Sequence, residues 1–288
     1  MAVCEKTFAL YTQPPYADQI EALAGEGRSV AAIYEELAVT DVREACDVLR
    51  PVWQTSDGVD GYVSLEVSPH LASDTAGTVA EGRRLWHDVD RPNLMIKVPA
   101  TAAGIPAIEG LLASGVNVNA TLMFSLADYE AVAQAYVRGI GRCGDPSQIA
   151  SVASFFVSRV DTEVDERLDT VGTDAALALR GQAAVANARL AYRAYTQRVA
   201  SERWLHLEAP GARPQRPLWA STSVKNPDYP DTLYVDTFIG PDTVNTLPDK
   251  TLVAFEEQGT VARTIDKLAN APDLLEAIAA VNDTLKRY

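Results

Sequence analysis

A lysine interrupts the apolar segment Asn93–Pro99 (NLMIKVP). The segment predicts a buried strand of a parallel sheet, because such strands are usually continuous in Val, Ile and Leu. Desolvation lowers the pKa of an ammonium group, and the resulting amine is a nucleophile near neutral pH that attacks carbonyl carbons to form Schiff bases. Lys97 therefore predicts carbonyl chemistry. The alternative is a lysine at a strand end, with its stem packed and its ammonium in water.

Polar residues recur on one face of four predicted strands, which are Gly61–Val67, Leu94–Val98, Val116–Met123 and Ile149–Val157. Side chains alternate between the two faces of a strand, so residues two apart share a face. If the apolar residues pack on the outer helices, the polar residues of the other parity point into the barrel. These residues also lie towards the carboxyl ends of their strands: Glu66, Lys97, Asn119, Thr121 and Ser154. Barrel enzymes place their chemistry at that end.

These five residues suggest a division of roles. Lys97 is the candidate amine nucleophile, while Glu66 and Thr121 would hold and activate a water for proton transfer. Asn119 and Ser154 would form hydrogen bonds with substrate hydroxyls. The alternative for each residue is a satisfied polar group in an internal hydrogen-bond network.

Two basic residues follow later strands and predict a phosphate site. Arg159 comes directly after the strand that contains Ser154, and a guanidinium can hold a phosphate through two parallel hydrogen bonds. Lys225 lies in the small polar loop Ser221–Asn226, and barrel enzymes often bind phosphate in their late loops. The alternative is that both are surface charges. The acidic run Asp161–Asp169 between them is predicted to be a solvated helix face.

The elements that would position these residues alternate between helix and strand, which favours a parallel sheet with crossover helices. Because the polar residues keep to one parity, we predict a single α/β domain over residues 1–288, a closed TIM-type (β/α) barrel rather than a doubly wound sheet. Two late strands are predicted at Pro217–Ser221 and Leu233–Phe238, with helices from there to Tyr288. The other predicted helices are Tyr16–Ala24, Ser29–Leu37, Asp41–Leu49, Asp74–Asp88, Ile105–Ser114, Leu126–Arg138 and Asp174–Ala200.

Composition narrows the class of partner. The chain has 25 basic and 39 acidic residues and a net charge of -14, which disfavours nucleic acid and anionic membranes as partners. The cysteines, Cys4, Cys46 and Cys143, are scattered without the spacing of metal ligands, so we expect no metal and reduced thiols. The N-terminus has no signal-peptide pattern, and no apolar stretch is long enough to span a bilayer. We expect a cytoplasmic protein that binds small molecules; whether it forms a homo-oligomer is open.

Several segments together resemble the transaldolase family, in the form found in many actinobacteria and other bacteria. The resemblance extends over roughly residues 8–265 and rests on the segments YVSLEVSPHLASD (62–74), NLMIKVPATAAG (93–104), GVNVNATLMFS (115–125), ASVASFFVSR (150–159), LWASTSVKN (218–226) and LYVDTFIGPDTVNTLP (233–248). It implies a class I aldolase-type (β/α)8 barrel without metal or organic cofactor. It also implies transfer of a dihydroxyacetone unit from sedoheptulose 7-phosphate to glyceraldehyde 3-phosphate in the pentose phosphate pathway.

Residue by residue, the resemblance assigns the same site. Lys97 matches the Schiff-base lysine, and Glu66 and Thr121 match the pair that positions the catalytic water. Arg159 matches a phosphate-binding arginine, and Lys225 stands near the second phosphate-binding position. The remaining two, Asn119 and Ser154, match substrate contacts.

The chain departs from the family pattern at its ends. Family members begin with a strand that bears a catalytic aspartate in a motif like WLD, followed by a strand with a motif like TNP, and neither motif is present. We therefore expect about six of the eight barrel strands, and we expect the C-terminal helix that the family has beyond the position of Tyr288 to be missing, as in a truncated chain. Two alternatives follow: a catalytically impaired remnant, or a related Schiff-base aldolase that acts on fructose 6-phosphate and releases dihydroxyacetone.

Overall fold

The structure is a computed structural model, and it describes residues 14–266. The described strands are β1 (Val63–Glu66), β2 (Leu94–Pro99), β3 (Val118–Met123), β4 (Ser151–Phe156), β5 (Arg216–Ala220) and β6 (Val244–Asn245). The described α-helices are α1 (Pro14–Gly25), α2 (Val30–Thr55), α3 (Thr75–Val89), α4 (Gly104–Ala113), α5 (Leu126–Ile140), α6 (Ser158–Val171), α7 (Asp174–Leu177), α8 (Ala183–Val199), α9 (Glu202–Glu208), α10 (Leu233–Asp236) and α11 (Asp249–Gln258). Two single-turn 3-10 helices lie at Pro69–Leu71 and Pro146–Gln148.

The strands form one six-stranded sheet in which their order follows the order of the chain, from β1 to β6. The pairs β1–β2, β4–β5 and β5–β6 are parallel. Consecutive parallel strands joined by helices are the arrangement of a (β/α) barrel. The predicted α/β class and barrel type of fold are thereby confirmed. None of the α-helices within residues 14–266 is both long and apolar enough to cross a membrane.

The described chain divides into two compact units. The first comprises residues 14–119 and 138–151, and the second comprises residues 120–137 and 152–266. The prediction of a single domain stays a prediction.

In the first unit, the apolar parity of β2 packs on helices as the alternation predicts. Ile96 is fully buried, and a Cβ added at Gly82 of α3 would lie 3.3 Å from Ile96 Cγ2 and 3.0 Å from the side chain of Leu111 on α4. Glycine therefore lets α3 approach β2 and α4 closely. Lys97 lies on the opposite face of β2, away from these two helices.

In the second unit, the core is aromatic. Phe155 of β4 meets Trp219 of β5 edge to face, with ring centroids 6.4 Å apart, and Trp219 lies 5.4 Å from Phe238. The indole Nε1 of Trp219 donates to the Phe238 carbonyl at 3.2 Å, so its polar atom is satisfied inside the core. These contacts hold Phe238, in the segment after β5, against Trp219 of β5.

Two predicted helices, Ser29–Leu37 and Asp41–Leu49, are one continuous helix, α2. Thr40 and Asp41 lie inside this helix, at the point where the second of the two helices is predicted to begin. Both side chains instead accept hydrogen bonds from α1: Gln19 Nε2 donates to Thr40 Oγ1 at 3.4 Å, and Tyr16 OH donates to Asp41 Oδ2 at 3.2 Å. The polar pair therefore serves helix packing rather than capping.

The predicted strand Leu233–Phe238 is wrong, because this segment forms the helical turn α10. Its apolar residues Tyr234, Val235 and Phe238 are buried, and a short apolar run cannot by itself separate a strand from a helix. Thr232 Oγ1 donates to Asp236 Oδ2 at 2.6 Å, which supports the turn. The sixth strand lies further on, at β6.

The predicted helix Asp174–Ala200 is interrupted between α7 and α8. Gly181 lies in the interruption with φ +70°, a left-handed conformation that glycine adopts without strain. Helix α11 agrees with the prediction of helices near the C-terminus, and the part of that prediction beyond residue 266 lies outside the described residues.

Candidate active site

A lysine–glutamate pair lies at the carboxyl ends of β1 and β2. The two strands are in register, with Glu66 opposite Lys97, and Lys97 Nζ lies 3.0 Å from Glu66 Oε2. Lys97 points away from the helix-packed face of Ile96, because successive side chains of a strand point to opposite faces. Glu66, which pairs with Lys97, lies on the same face as Lys97. The structure thus brings two of the predicted catalytic residues into direct contact.

Water reaches this pair only in part. Lys97 is the one residue of β2 that is not buried, and the Lys97 and Glu66 side chains keep 30% and 33% of their area exposed. The predicted buried strand is therefore confirmed, whereas the ammonium is only partly desolvated. The carboxylate of Glu66 lies within hydrogen-bond distance of this ammonium, so a proton transfer between them needs no intervening group.

Asn119 of β3 continues the polar face within the first unit. It is 6% exposed, and its amide Nδ2 donates to Ser64 Oγ at 3.0 Å. Ser64 shares a face of β1 with Glu66, as the parity argument indicates. Sequence reasoning gave Ser64 no role, although its position two residues before Glu66 was the signal.

In the second unit, Thr121 of β3 is fully buried, and its Oγ1 has no hydrogen-bond partner among residues 14–266. An unsatisfied buried hydroxyl costs about 1–3 kcal/mol, so such a group calls for an explanation. The next residue, Leu122, has φ +60°, a strained conformation for a leucine. Strained backbone of this kind clusters at functional sites, and the role of Thr121 in holding a water stays a prediction.

Ser154 is also in the second unit, at the centre of β4, and is 1% exposed. It pairs with Leu218 of β5 in a parallel register. The sequence placed Ser154 on a mostly apolar background, and its burial agrees with that description. Its proposed role as a substrate contact stays a prediction.

Arg159 is the second residue of α6, and its guanidinium carbon lies 5.4 Å from the centre of the Phe156 ring. Beside it, Ser158 begins the helix, with its Oγ 2.9 Å from Ser221 Oγ and its N–H donating to the Ser221 carbonyl at 3.1 Å. Ser221 follows β5 with φ +57°. A helix N-terminus, a guanidinium and two hydroxyls are together suited to an anion.

Lys225 lies further along the loop after β5, where its Nζ donates to Ser223 Oγ at 2.6 Å. It also lines a cavity of about 540 Å³, whose walls carry the carboxylates of Asp165, Glu166 and Asp169. Its assignment to phosphate stays a prediction.

The prediction that Asp161–Asp169 is a solvated face is wrong for two of its carboxylates. Asp161 is 1% exposed and Asp165 is 7% exposed. Each accepts hydrogen bonds from a tyrosine hydroxyl and a backbone N–H, and these bonds make the burial of a carboxylate tolerable.

The structure thus combines a parallel barrel-type sheet with a lysine–carboxylate pair at the ends of its first two strands. The model of the transaldolase/fructose-6-phosphate aldolase family matches residues 2–287, and the chain belongs to this family.

Curated relatives in this family are similar over most of the chain. The transaldolase of Mycolicibacterium paratuberculosis is 56% identical over 251 residues, which are 85% of this chain and 67% of that relative. The transaldolase of Acidothermus cellulolyticus is 52% identical over 285 residues, 94% of this chain and 76% of the relative. The transaldolase of Thermobifida fusca is 56% identical over 257 residues, which are 88% of this chain and 70% of that relative. The chain is thus an enzyme of the transaldolase type, a transferase.

Proposed function

We propose that this chain transfers a dihydroxyacetone unit from sedoheptulose 7-phosphate to glyceraldehyde 3-phosphate through a Schiff base on Lys97, as a cytoplasmic step of the pentose phosphate pathway. The observation that carries the proposal is the 3.0 Å contact between Lys97 Nζ and Glu66 Oε2 on a strand pair whose other face is packed on helices. The family membership and the relatives' name support the same reaction.

The first half of the reaction forms the covalent intermediate. Lys97 gives a proton to Glu66, and the free amine attacks the C2 carbonyl of the ketose phosphate to form a carbinolamine. Protonation of the carbinolamine hydroxyl lets it leave as water, and the product is an iminium ion. A water held by Glu66 and Thr121 is proposed to carry these protons.

The second half uses the iminium as an electron sink. The C4 hydroxyl gives its proton to Glu66 through the same water, the C3–C4 bond breaks, the aldehyde erythrose 4-phosphate leaves, and the bonding electrons remain as an enamine on Lys97. The enamine carbon then attacks the carbonyl of glyceraldehyde 3-phosphate, whose oxygen takes up a proton. Water hydrolyses the new iminium to release fructose 6-phosphate. In this scheme Asn119 and Ser154 bind the substrate hydroxyls.

Anchoring of the substrate phosphate is proposed for Arg159, with Lys225 as a second contact. Arg159 is exposed and is the second residue of α6, and the residue before it, Ser158, contacts Ser221 through their hydroxyls. Because the chain carries a net charge of -14, an anionic substrate needs such a local cluster of donors and positive charge. The proposed partners are therefore small sugar phosphates.

The test is to trap the covalent intermediate. The protein is incubated with fructose 6-phosphate and reduced with borohydride, and the modified lysine is identified by mass spectrometry of peptides. We expect the reduced adduct on Lys97, its absence in Lys97→Ala, and a loss of transfer rate on the order of 10⁴-fold or more. Lys250→Ala is the matched control, because this lysine is 86% exposed in its side chain.

Each other result has a defined meaning. Folded wild-type protein without an adduct on Lys97 contradicts the proposal. Trapping on Lys97 together with release of free dihydroxyacetone by unreduced protein, without transfer to an aldehyde, would favour the Schiff-base aldolase. An adduct that goes no further would favour the catalytically impaired remnant.

A further inference from the structure

One face of helix α6 holds the segment that follows β5 at three points. Ser158, Asp161 and Asp165 are separated by three and four positions, so they lie on the same face of the helix. All three are buried, with exposures of 1%, 1% and 7%. Each forms a hydrogen bond with the chain between residues 221 and 234.

The first point is at the start of the segment. Ser158 Oγ lies 2.9 Å from Ser221 Oγ, and the Ser158 N–H donates to the Ser221 carbonyl at 3.1 Å. The left-handed backbone of Ser221, with φ +57°, turns the chain away from β5 at this contact. Both bonds lie beside Arg159, the next residue of α6.

The second point is Asp165, one turn beyond Asp161 along α6. Tyr229 OH donates to Asp165 Oδ2 at 2.6 Å, and the Gly181 N–H donates to Oδ1 at 3.0 Å. A Cβ at Gly181 would lie 3.0 Å from the Tyr229 ring, so glycine leaves the space that the tyrosine fills. Tyr229 comes four residues after Lys225.

The third point is Asp161. Tyr234 OH donates to Asp161 Oδ2 at 2.6 Å, and the Ala184 N–H donates to Oδ1 at 2.7 Å. The Tyr234 ring is 2% exposed and stacks on Phe238, with ring centroids 6.2 Å apart. The position of this tyrosine is thus determined at both its ring and its hydroxyl.

Burying two carboxylates is unfavourable unless their hydrogen bonds are satisfied. Burial raises the pKa of Asp161, although the bonds from Tyr234 and Ala184 oppose this effect. An apolar pair of similar volume would pack without this cost. The arrangement therefore favours a defined position of the segment over maximal stability.

We propose that Asp161 and Asp165, with Tyr234 and Tyr229, are positioning residues that hold the Lys225 segment against the helix that carries Arg159, and so set the affinity for the substrate phosphate. The inference rests on the proposed function, because the phosphate belongs to that substrate. None of the four residues is assigned to the bond-breaking chemistry.

The test compares phosphorylated and unphosphorylated donors in Tyr229→Phe and Tyr234→Phe. Half-saturating concentrations for the borohydride-trapped adduct on Lys97 are measured with fructose 6-phosphate and with dihydroxyacetone, which has no phosphate. We expect the value for fructose 6-phosphate to rise about fivefold to tenfold, with the value for dihydroxyacetone and the kcat of transfer within about twofold of wild type.

Tyr192→Phe is the matched control, because it removes one hydroxyl from a tyrosine that is 4% exposed. Its OH donates to the Pro241 carbonyl at 3.1 Å, outside the segment 221–234. This variant should leave the ratio of the two half-saturating concentrations at the wild-type value. Thermal unfolding of all variants gives the accompanying change in stability.

A lower melting temperature with an unchanged ratio in Tyr229→Phe and Tyr234→Phe would overturn the inference, since the network would then be structural alone. Absence of an adduct from the wild type with either donor would contradict the proposed function instead. In that case, calorimetric titration with inorganic phosphate decides the inference. Weaker binding in the two variants than in Tyr192→Phe supports it, and equal or undetectable binding in all of them opposes it.

Discussion

The charged pair of the first unit and the buried carboxylates of the second unit use the same chemical group in opposite ways. Glu66 faces a cation at 3.0 Å and keeps 33% of its side chain exposed. Asp161 and Asp165 are nearly inaccessible and accept hydrogen bonds from neutral tyrosines and backbone amides. The first arrangement leaves both charged groups partly open to water, whereas the second is almost wholly shielded from it.

In the proposed mechanism the first arrangement takes part in proton transfer, whereas the second holds structure. A proton-transfer group needs access to its partner in both protonation states, and partial exposure provides it. A structural carboxylate needs all its lone pairs occupied, because an unsatisfied buried charge is costly. If burial were the criterion, Asp161 would be a stronger candidate for a functional residue than Glu66. The hydrogen-bond partner, a tyrosine for Asp161 and a lysine for Glu66, is the better criterion.

The largest expected effect is on the charged pair of the first unit. Glu66→Gln keeps the shape and a polar contact with Lys97 but removes the proton acceptor. We expect the rate of transfer to fall by about 10²–10⁴-fold, with little change in melting temperature, in steady-state assays on the proposed substrates. Glu35→Gln, an exposed carboxylate on α2, is the control. A rate within twofold of wild type for Glu66→Gln would show that the pair is structural, like the carboxylates of the second unit.

A smaller effect is expected at Asp161, and it should depend on pH. Burial raises its pKa above the usual 3.8, so the folded state binds a proton more tightly than the unfolded state. The free energy of unfolding from this group is therefore highest below pH 3.8 and falls as the pH rises through the folded pKa. For each unit by which the pKa of the group differs between the folded and unfolded states, the free energy of unfolding changes by about 1.4 kcal/mol.

Asp161→Asn should abolish that pH dependence and lower the free energy of unfolding by about 1–3 kcal/mol near neutral pH, because an amide oxygen cannot replace both carboxylate acceptors. Urea unfolding from pH 3.5 to 7 measures both effects. The pH dependence expected from Asp47 of the first unit has the opposite sign. A hydrogen bond from Arg91 lowers the pKa of Asp47, so its contribution to the free energy of unfolding is lost as the pH falls. An Asp161→Asn profile parallel to that of wild type would contradict the assignment.

The smallest expected effect is at the surface of the first unit. Arg84 of α3 grips Glu35 of α2 through two hydrogen bonds of 2.8 Å, but both side chains are more than 40% exposed. We expect Glu35→Gln to cost less than about 1 kcal/mol, and less again at high salt, because water and ions screen exposed pairs. A loss of more than 2 kcal/mol would show that exposed pairs contribute to stability as much as the buried network does.

Local pattern predicted the strand that carries Lys97 and the face on which Lys97 lies, since strand parity depends only on neighbours in the chain. The same reasoning failed at Leu233–Phe238, where a buried helical turn carries the apolar content of a short strand. It also failed at Asp161–Asp169, because an acidic run on an amphipathic helix gives no sign of which carboxylates will meet a donor.

By itself, the sequence determined the α/β class, the face on which Lys97 and Glu66 lie, and the resemblance to the transaldolase family, because alternation and motifs are properties of short segments. Only the tertiary structure decided that Glu66 contacts Lys97, that Ser64 supports Asn119, and that Tyr229 and Tyr234 reach Asp165 and Asp161. The tyrosine–aspartate bonds join residues 64 and 73 positions apart. No local preference specifies such pairs, because they form only when the packing of whole elements brings donor and acceptor together.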